Sequence, residues 1–223
     1  MKRILIVLAM VLTATWAQAT LTQTQSFSGG AIADGNPLGT VFSGTYSQTG
    51  FNSPVLNATV GLDITGGYNG DLYAYLVAPN GTVVVLLNQP GTGAFGSAAS
   101  GFGDVDGATV SGTGPHTANS FVLTSTSTDP LIQSANGTAY QTLTGSYQAA
   151  GNLNDFVTSG ATANGTWTLF FADLNQGGGT SYLNSWTLNL KVVPEPVLLA
   201  LITFLAMLLA LAGLKWAWQS KDS

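Results

Sequence analysis

From Ser185 to Val192 the chain alternates without a break. Trp186, Leu188, Leu190 and Val192 fall on one side of an extended backbone, and Thr187, Asn189 and Lys191 on the other. A period of two with one apolar side specifies a strand that buries one face and wets the other. A helix would scatter the same residues round its circumference. Thr166-Trp167-Thr168-Leu169-Phe170-Phe171-Ala172-Asp173 reads as the preceding strand, joined to the last by a loop containing Gly177-Gly178-Gly179. Asp71 to Leu87 divides into two strand-like runs about Asn80-Gly81. That dipeptide most readily takes the positive φ angles of a type I′ turn, so a β-hairpin is expected. Weaker strands are expected at 55–64, 108–110 and 120–123. Together these elements predict an all-β fold, an antiparallel β-sandwich of jelly-roll type with roughly eight strands and polar loops.

Both ends of the chain depart from this pattern. Met1-Lys2-Arg3 is basic, Ile4 to Leu12 is apolar, and Ala17 and Ala19 place small residues where a signal peptidase reads. Residues 1–19 are therefore expected to be a secretory signal helix cut after Ala19, with an uncleaved N-terminal anchor as the alternative. At the other end Val193-Pro194-Glu195-Pro196 precedes eighteen uncharged residues, Val197 to Leu214, and then Lys215. Such a run is long enough to cross a ~30 Å hydrocarbon core as a transmembrane helix over 197–214. The prolines separate it from the strand before them. The expected division is 1–19 signal peptide, 20–192 sandwich domain and 193–223 membrane tail.

The body of the chain carries little charge. Between Arg3 and Lys215 the only basic residue is Lys191, and the acids of the body are eight aspartates, Asp34, Asp63, Asp71, Asp104, Asp106, Asp129, Asp155 and Asp173. Nucleic acid is excluded as a partner, because phosphate binding requires clustered Lys or Arg. The absence of cysteine removes disulfides, thiolate metal sites and cysteine nucleophiles.

Catalytic constellations are not found. The single histidine, His116, lies in Thr113-Gly114-Pro115-His116-Thr117, a loop context, and no Gly-x-Ser-x-Gly elbow occurs. The chain is therefore expected not to be an enzyme. Gly91-Thr92-Gly93-Ala94-Phe95-Gly96 matches a dinucleotide-binding spacing, but the residues after it do not form the helix that the fingerprint needs. Asp104-Val105-Asp106-Gly107 is an oxygen-rich fragment of the kind that binds Ca²⁺, with Asp71 and Asp63 as possible helpers. An ordinary Asp-Gly turn explains the same residues. Asn57, Asn80, Asn136 and Asn164 each begin an N-x-T sequon, and three of the four are Asn-Gly-Thr, which turn formation explains without sugar. Trp167 and Trp186 are expected as core anchors rather than sugar-stacking platforms.

Two resemblances follow from these residues. Pro194-Glu195-Pro196 with its apolar sequel resembles the PEP-CTERM tail, a bacterial sorting signal handled by exosortase-type transpeptidases. Tails of that family usually end in an Arg-rich cluster, whereas here only Lys215 and Lys221 follow. The body resembles the P domain, or Homo B domain, of furin- and kexin-like proprotein convertases. The matching segments are Ile32-Ala33-Asp34-Gly35-Asn36-Pro37, Gly70-Asp71-Leu72, Pro79-Asn80-Gly81-Thr82, Gly145-Ser146-Tyr147 with Leu153 and Phe156, Gly165-Thr166-Trp167-Thr168-Leu169, and Leu183-Asn184-Ser185-Trp186-Thr187-Leu188. The resemblance implies a non-catalytic sandwich that accompanies other domains.

The expected function is that of an exported cell-surface or matrix protein, a lone P-like sandwich sorted through its tail. Its expected partners are signal peptidase, an exosortase-like enzyme, the membrane and an exopolysaccharide. The alternatives are an accessory module of a subtilisin-like serine protease and a carbohydrate-binding module using Tyr68, Tyr73 or Tyr75.

Overall fold

The computed structural model describes residues 20–48, 51–90, 119–135, 143–177, 179–193 and 201–211. Nine strands make up the body: β1 (Leu21–Ile32), β2 (Thr40–Tyr46), β3 (Val55–Thr65), β4 (Leu72–Val77), β5 (Val83–Asn88), β6 (Asn119–Thr124), β7 (Thr144–Gln148), β8 (Gly165–Asp173) and β9 (Ser181–Val192). A four-residue helix, α1 (Asp155–Thr158), precedes β8. The strands form two sheets, one ordered β1-β9-β3-β6-β7 and the other β2-β8-β4-β5. The all-β sandwich expected from the sequence is present, with nine strands among the described residues rather than roughly eight.

The core lies between the sheets. Trp186, Leu188, Leu190 and Val192 of β9 are all buried, and they face Trp167, Leu169 and Phe171 of β8 across the interior. Phe27 stacks obliquely on Trp186 with ring centroids 4.4 Å apart, and Phe156 of α1 meets Trp167 edge to face at 5.1 Å. Both tryptophans are core anchors, as their alternating positions predict.

Two expectations need correction. The pairing is not wholly antiparallel, because β6 and β7 run parallel, from Ser120↔Thr144 to Thr124↔Gln148. The chain between them is long enough to return to the start of β6, and a parallel pair requires such a crossover. Buried Ile132 anchors its 3-10 turn, and the Leu143 N–H donates to Asn119 Oδ1 at 2.7 Å to fix the register. The hairpin between β4 and β5 also lacks a type I′ turn. Pro79 fixes its own φ near −65°, and among the described non-glycine residues only Gln89 has a positive φ. Ala78 to Gly81 closes instead as a type I turn, with the Gly81 N–H donating to Ala78 O at 2.9 Å. Gly81 then takes φ +86°, and the Thr82 N–H donates to Asn80 Oδ1 at 3.1 Å. Type I followed by a left-handed glycine is the three-residue hairpin solution.

Residues 201–211 are helical (α2) and present exposed Leu, Ile, Phe and Met side chains. Among the described residues no helix is long and apolar enough to cross a membrane. The rest of the expected transmembrane segment, 197–200 and 212–214, lies outside the described residues. So do the signal segment 1–19 with Ala17 and Ala19, the strand expected at 108–110, the Gly91–Gly96 loop, His116 and Asn136.

Candidate functional site

One end of the sandwich gathers three loops. β1 ends there at Ile32, β3 at Thr65 and β8 at Asp173, while β4 starts at Leu72 and β9 at Ser181. The antiparallel pairings Leu72↔Asp173 and Ile32↔Ser181 hold these ends side by side. Three aspartates far apart in sequence, Asp34, Asp71 and Asp173, are thereby brought together. Asp71 closes a 3-10 turn, Asn69–Asp71, just before β4.

Asn175 bridges two of the carboxylates. Its N–H donates to Asp173 Oδ1 at 3.2 Å, and its Nδ2 donates to Asp71 Oδ1 at 3.1 Å. The Leu174 N–H donates to the Asp71 backbone carbonyl at 2.9 Å, and the Gly177 N–H donates to Asp34 Oδ1 at 2.9 Å. Asp173 also accepts from the Gly35 N–H, yet its Oδ2 has no partner among the described residues. Ser181 Oγ, at the head of β9, is buried and likewise without a partner there.

Burial pushes the Asp173 carboxyl up to about 6, against the hydrogen bonds from Asn175 and Gly35, and the charges of Asp71 and Asp34 push the same way. Asp71 is raised chiefly by burial and also by Asp34, while the bond from Asn175 opposes the rise. Loss of hydration is the larger effect at both residues.

Of the metal ligands expected from the sequence, only Asp71 lies in this cluster. The Asp63 carboxylate is held separately by Asn184 Nδ2 at 3.0 Å. Asp104 and Asp106 lie outside the described residues, as do Pro194, Glu195 and Pro196 of the sorting motif, while Val193 follows the end of β9. Among the described residues no group of three His, Cys, Asp or Glu side chains is arranged to hold a metal ion. Asp34 and Asp173 were missed as site residues. The available signal was positional, since Asp34 lies in the Ile32–Pro37 segment that resembles the P domain and Asp173 ends the apolar strand β8. Asn164, a sequon residue, serves the fold. Its Nδ2 donates to Gln48 O and Asn52 Oδ1, both at 2.8 Å, and its Oδ1 accepts from the Gln48 N–H at 2.9 Å.

A second feature occupies the outer face of the four-stranded sheet. Val41, Phe170, Tyr75 and Val85 form one row across β2, β8, β4 and β5. Tyr75 stacks on Phe170 with centroids 4.6 Å apart, and Tyr73 meets Tyr75 edge to face at 6.1 Å. Val41 is 59 % exposed and Val83 52 %. Two of the three tyrosines expected as sugar platforms thus belong to an apolar ring cluster on a sheet face.

Among solved structures, the fold is similar to the Aeromonas sobria serine protease in complex with the chaperone ORF2, at 16 % identity and TM-score 0.47, over 84 % of this chain and 29 % of that one. It is also similar to a second structure, of the serine protease of Aeromonas sobria, at 16 % identity and TM-score 0.45, over 83 % of this chain and 29 % of that one. This chain therefore spans less than a third of the length of those proteases. No curated protein matches it. Residues 55–113, from β3 through the β4–β5 hairpin and beyond, match the family model of the proprotein convertase P-domain.

Proposed function

We propose that this chain is a non-catalytic, P-domain-like accessory module that docks on a subtilisin-like serine endopeptidase and stabilises it. The observation that carries this reading is the match of residues 55–113 to the proprotein convertase P-domain. The outer face of the four-stranded sheet supports it, because Val41, Tyr75, Phe170 and Val83 make a contiguous apolar patch of the kind that docking surfaces bury.

The test mixes the purified chain with a subtilisin-like endopeptidase from the same organism and follows thermal inactivation of the protease. A partner at about a hundredfold over its Kd stabilises by about 2.7 kcal/mol, so inactivation should slow markedly. The double variant Val41→Lys, Val83→Lys changes two exposed positions and should abolish the protection while the sandwich stays folded. Absence of a complex by size-exclusion chromatography, or equal protection by the variant, refutes the docking surface.

A second reading, export and sorting to the cell surface through the Pro194-Glu195-Pro196 tail, is favoured by α2. Large apolar side chains are exposed along its whole length, from Leu201 to Leu211. A helix that is apolar all round belongs in an apolar environment. Mass spectrometry of the mature protein should find a start at Thr20 and an end near Pro194 to Pro196. An intact end at Ser223 in the envelope fraction excludes tail processing.

A further inference from the structure

We propose that the loop end built on Asp71 and Asp173 is a binding site for a hard divalent cation, Ca²⁺ above all, with the two carboxylates and the Ser181 hydroxyl as protein ligands.

The argument begins with charge. Asp173 is 0 % exposed and Asp71 1 % exposed. An ionised carboxylate out of water is costly unless a counter-charge or a full set of donors meets it. Asn175 and Gly35 serve Asp173, but its Oδ2 is left without a donor in an enclosed site where the charges of Asp71 and Asp34 also act on it. Among the described residues no cation stands beside it. Its only basic residue between Arg3 and Lys215 is Lys191. Lys191 stands ten positions beyond Ser181 on the same strand, about 33 Å away along an extended backbone. No described side chain supplies the compensating charge, and a cation from solution would.

The Ser181 hydroxyl is a separate observation that points the same way. It belongs to a different strand, is 0 % exposed, and makes no hydrogen bond among the described residues. A buried hydroxyl left in that state loses its hydration for nothing. The turn leading to Asp71 presses on it. A Cβ at Gly67 would lie 2.0 Å from Ser181 Oγ and 3.1 Å from the Gly179 carbonyl oxygen, and Gly67 has φ +62°. Only glycine lets this turn close against the head of β9.

The donors are all oxygen, from carboxylates and a hydroxyl. That set suits Ca²⁺ and not Zn²⁺, which favours Cys and His. With two buried carboxylates rather than a three-carboxylate cage, the affinity belongs with the weak sites of extracellular modules, on the order of 0.1–1 mM.

The test uses the full chain, stripped with EDTA and held at about pH 7.5, where carboxylates are available to a metal. Equilibrium dialysis with radiocalcium should find one ion per chain. Asp173→Asn and Asp71→Asn should each weaken binding about tenfold or more, whereas the double variant Asp104→Asn, Asp106→Asn should leave it intact. Saturating Ca²⁺ should raise the thermal midpoint of the wild type and not of Asp173→Asn. Should that variant fail to fold, Ser181→Ala, which removes one neutral ligand, should still weaken binding in the dialysis assay. No binding up to ~10 mM Ca²⁺, well above the weakest range for such sites, overturns the proposal. Binding that survives in Asp173→Asn and disappears in the Asp104, Asp106 variant overturns it as well.

Discussion

Replacing Trp167 with alanine is expected to lower the unfolding free energy by about 3–5 kcal/mol, enough to unfold much of the protein at moderate temperature. Trp167 is fully buried near the start of β8, on its interior face, and packs edge to face on Phe156. Its indole Nε1 donates to the Ala163 carbonyl at 2.9 Å, so the ring is bound at both its apolar and its polar end. Trp186 is as deeply buried, but its Nε1 has no acceptor among the described residues. The two positions should therefore separate under a milder change. Trp167→Phe removes a satisfied hydrogen bond and leaves the Ala163 carbonyl buried and alone, at a cost of about 1–3 kcal/mol beyond the lost volume. Trp186→Phe removes a donor that had no partner, so only the lost volume counts against it. Urea unfolding followed by far-ultraviolet circular dichroism measures both. Equal losses for the two phenylalanine variants would show that the Trp167 hydrogen bond contributes nothing net.

These positions could be read in the sequence because strand periodicity is a local signal. The alternation of β9 and the runs about Asn80-Gly81 each lie within a short window, and burial follows from them directly. β1 carried almost no such signal. Its Thr-Gln-Ser-Gly-rich stretch is an edge strand of twelve residues, and its position comes from pairing with β9 rather than from its own apolar content. The parallel partner β7 was illegible for a different reason, since strand direction is set by where a long connection returns. The type I′ turn was misjudged because Asn80-Gly81 was read without Pro79, whose fixed φ decides which turn can form. The carboxylate cluster was the least legible feature of all. Asp34, Asp71 and Asp173 meet only after β1, β4 and β8 have been placed, whereas Asp104 and Asp106 stood out through adjacency alone. Spacing detects ligands that share a loop, and it does not detect ligands that share the end of a sandwich.

Asp173 carries the second large effect, and its sign depends on the cation. Without a cation, burial raises this carboxyl from the ordinary aspartate value of 3.8 to about 6, so the native state keeps its proton where the unfolded chain has lost it. A group whose acidity is weakened by folding favours the native state at low pH and opposes it at high pH. Stability should therefore fall as pH rises from about 4 to about 6 and level off above that, by about 3 kcal/mol for a shift of this size. Asp71, raised in the same direction, should add to the slope. Asp173→Asn removes the titration while keeping an acceptor for the Asn175 N–H. The variant should be more stable than the wild type in EDTA at neutral pH, by roughly 6–12 °C in thermal midpoint for a domain of this size. Below about pH 4 the advantage should vanish, because the wild-type carboxyl is then protonated in both states. A bound divalent cation reverses the order, since it favours the ionised carboxylate that burial disfavours. Thermal scans across pH with EDTA and with Ca²⁺ should therefore give curves that converge at acid pH and diverge towards neutrality. A wild type that in EDTA gains stability between about pH 4 and pH 6 would show that Asp173 is hydrated in solution and not buried with its proton.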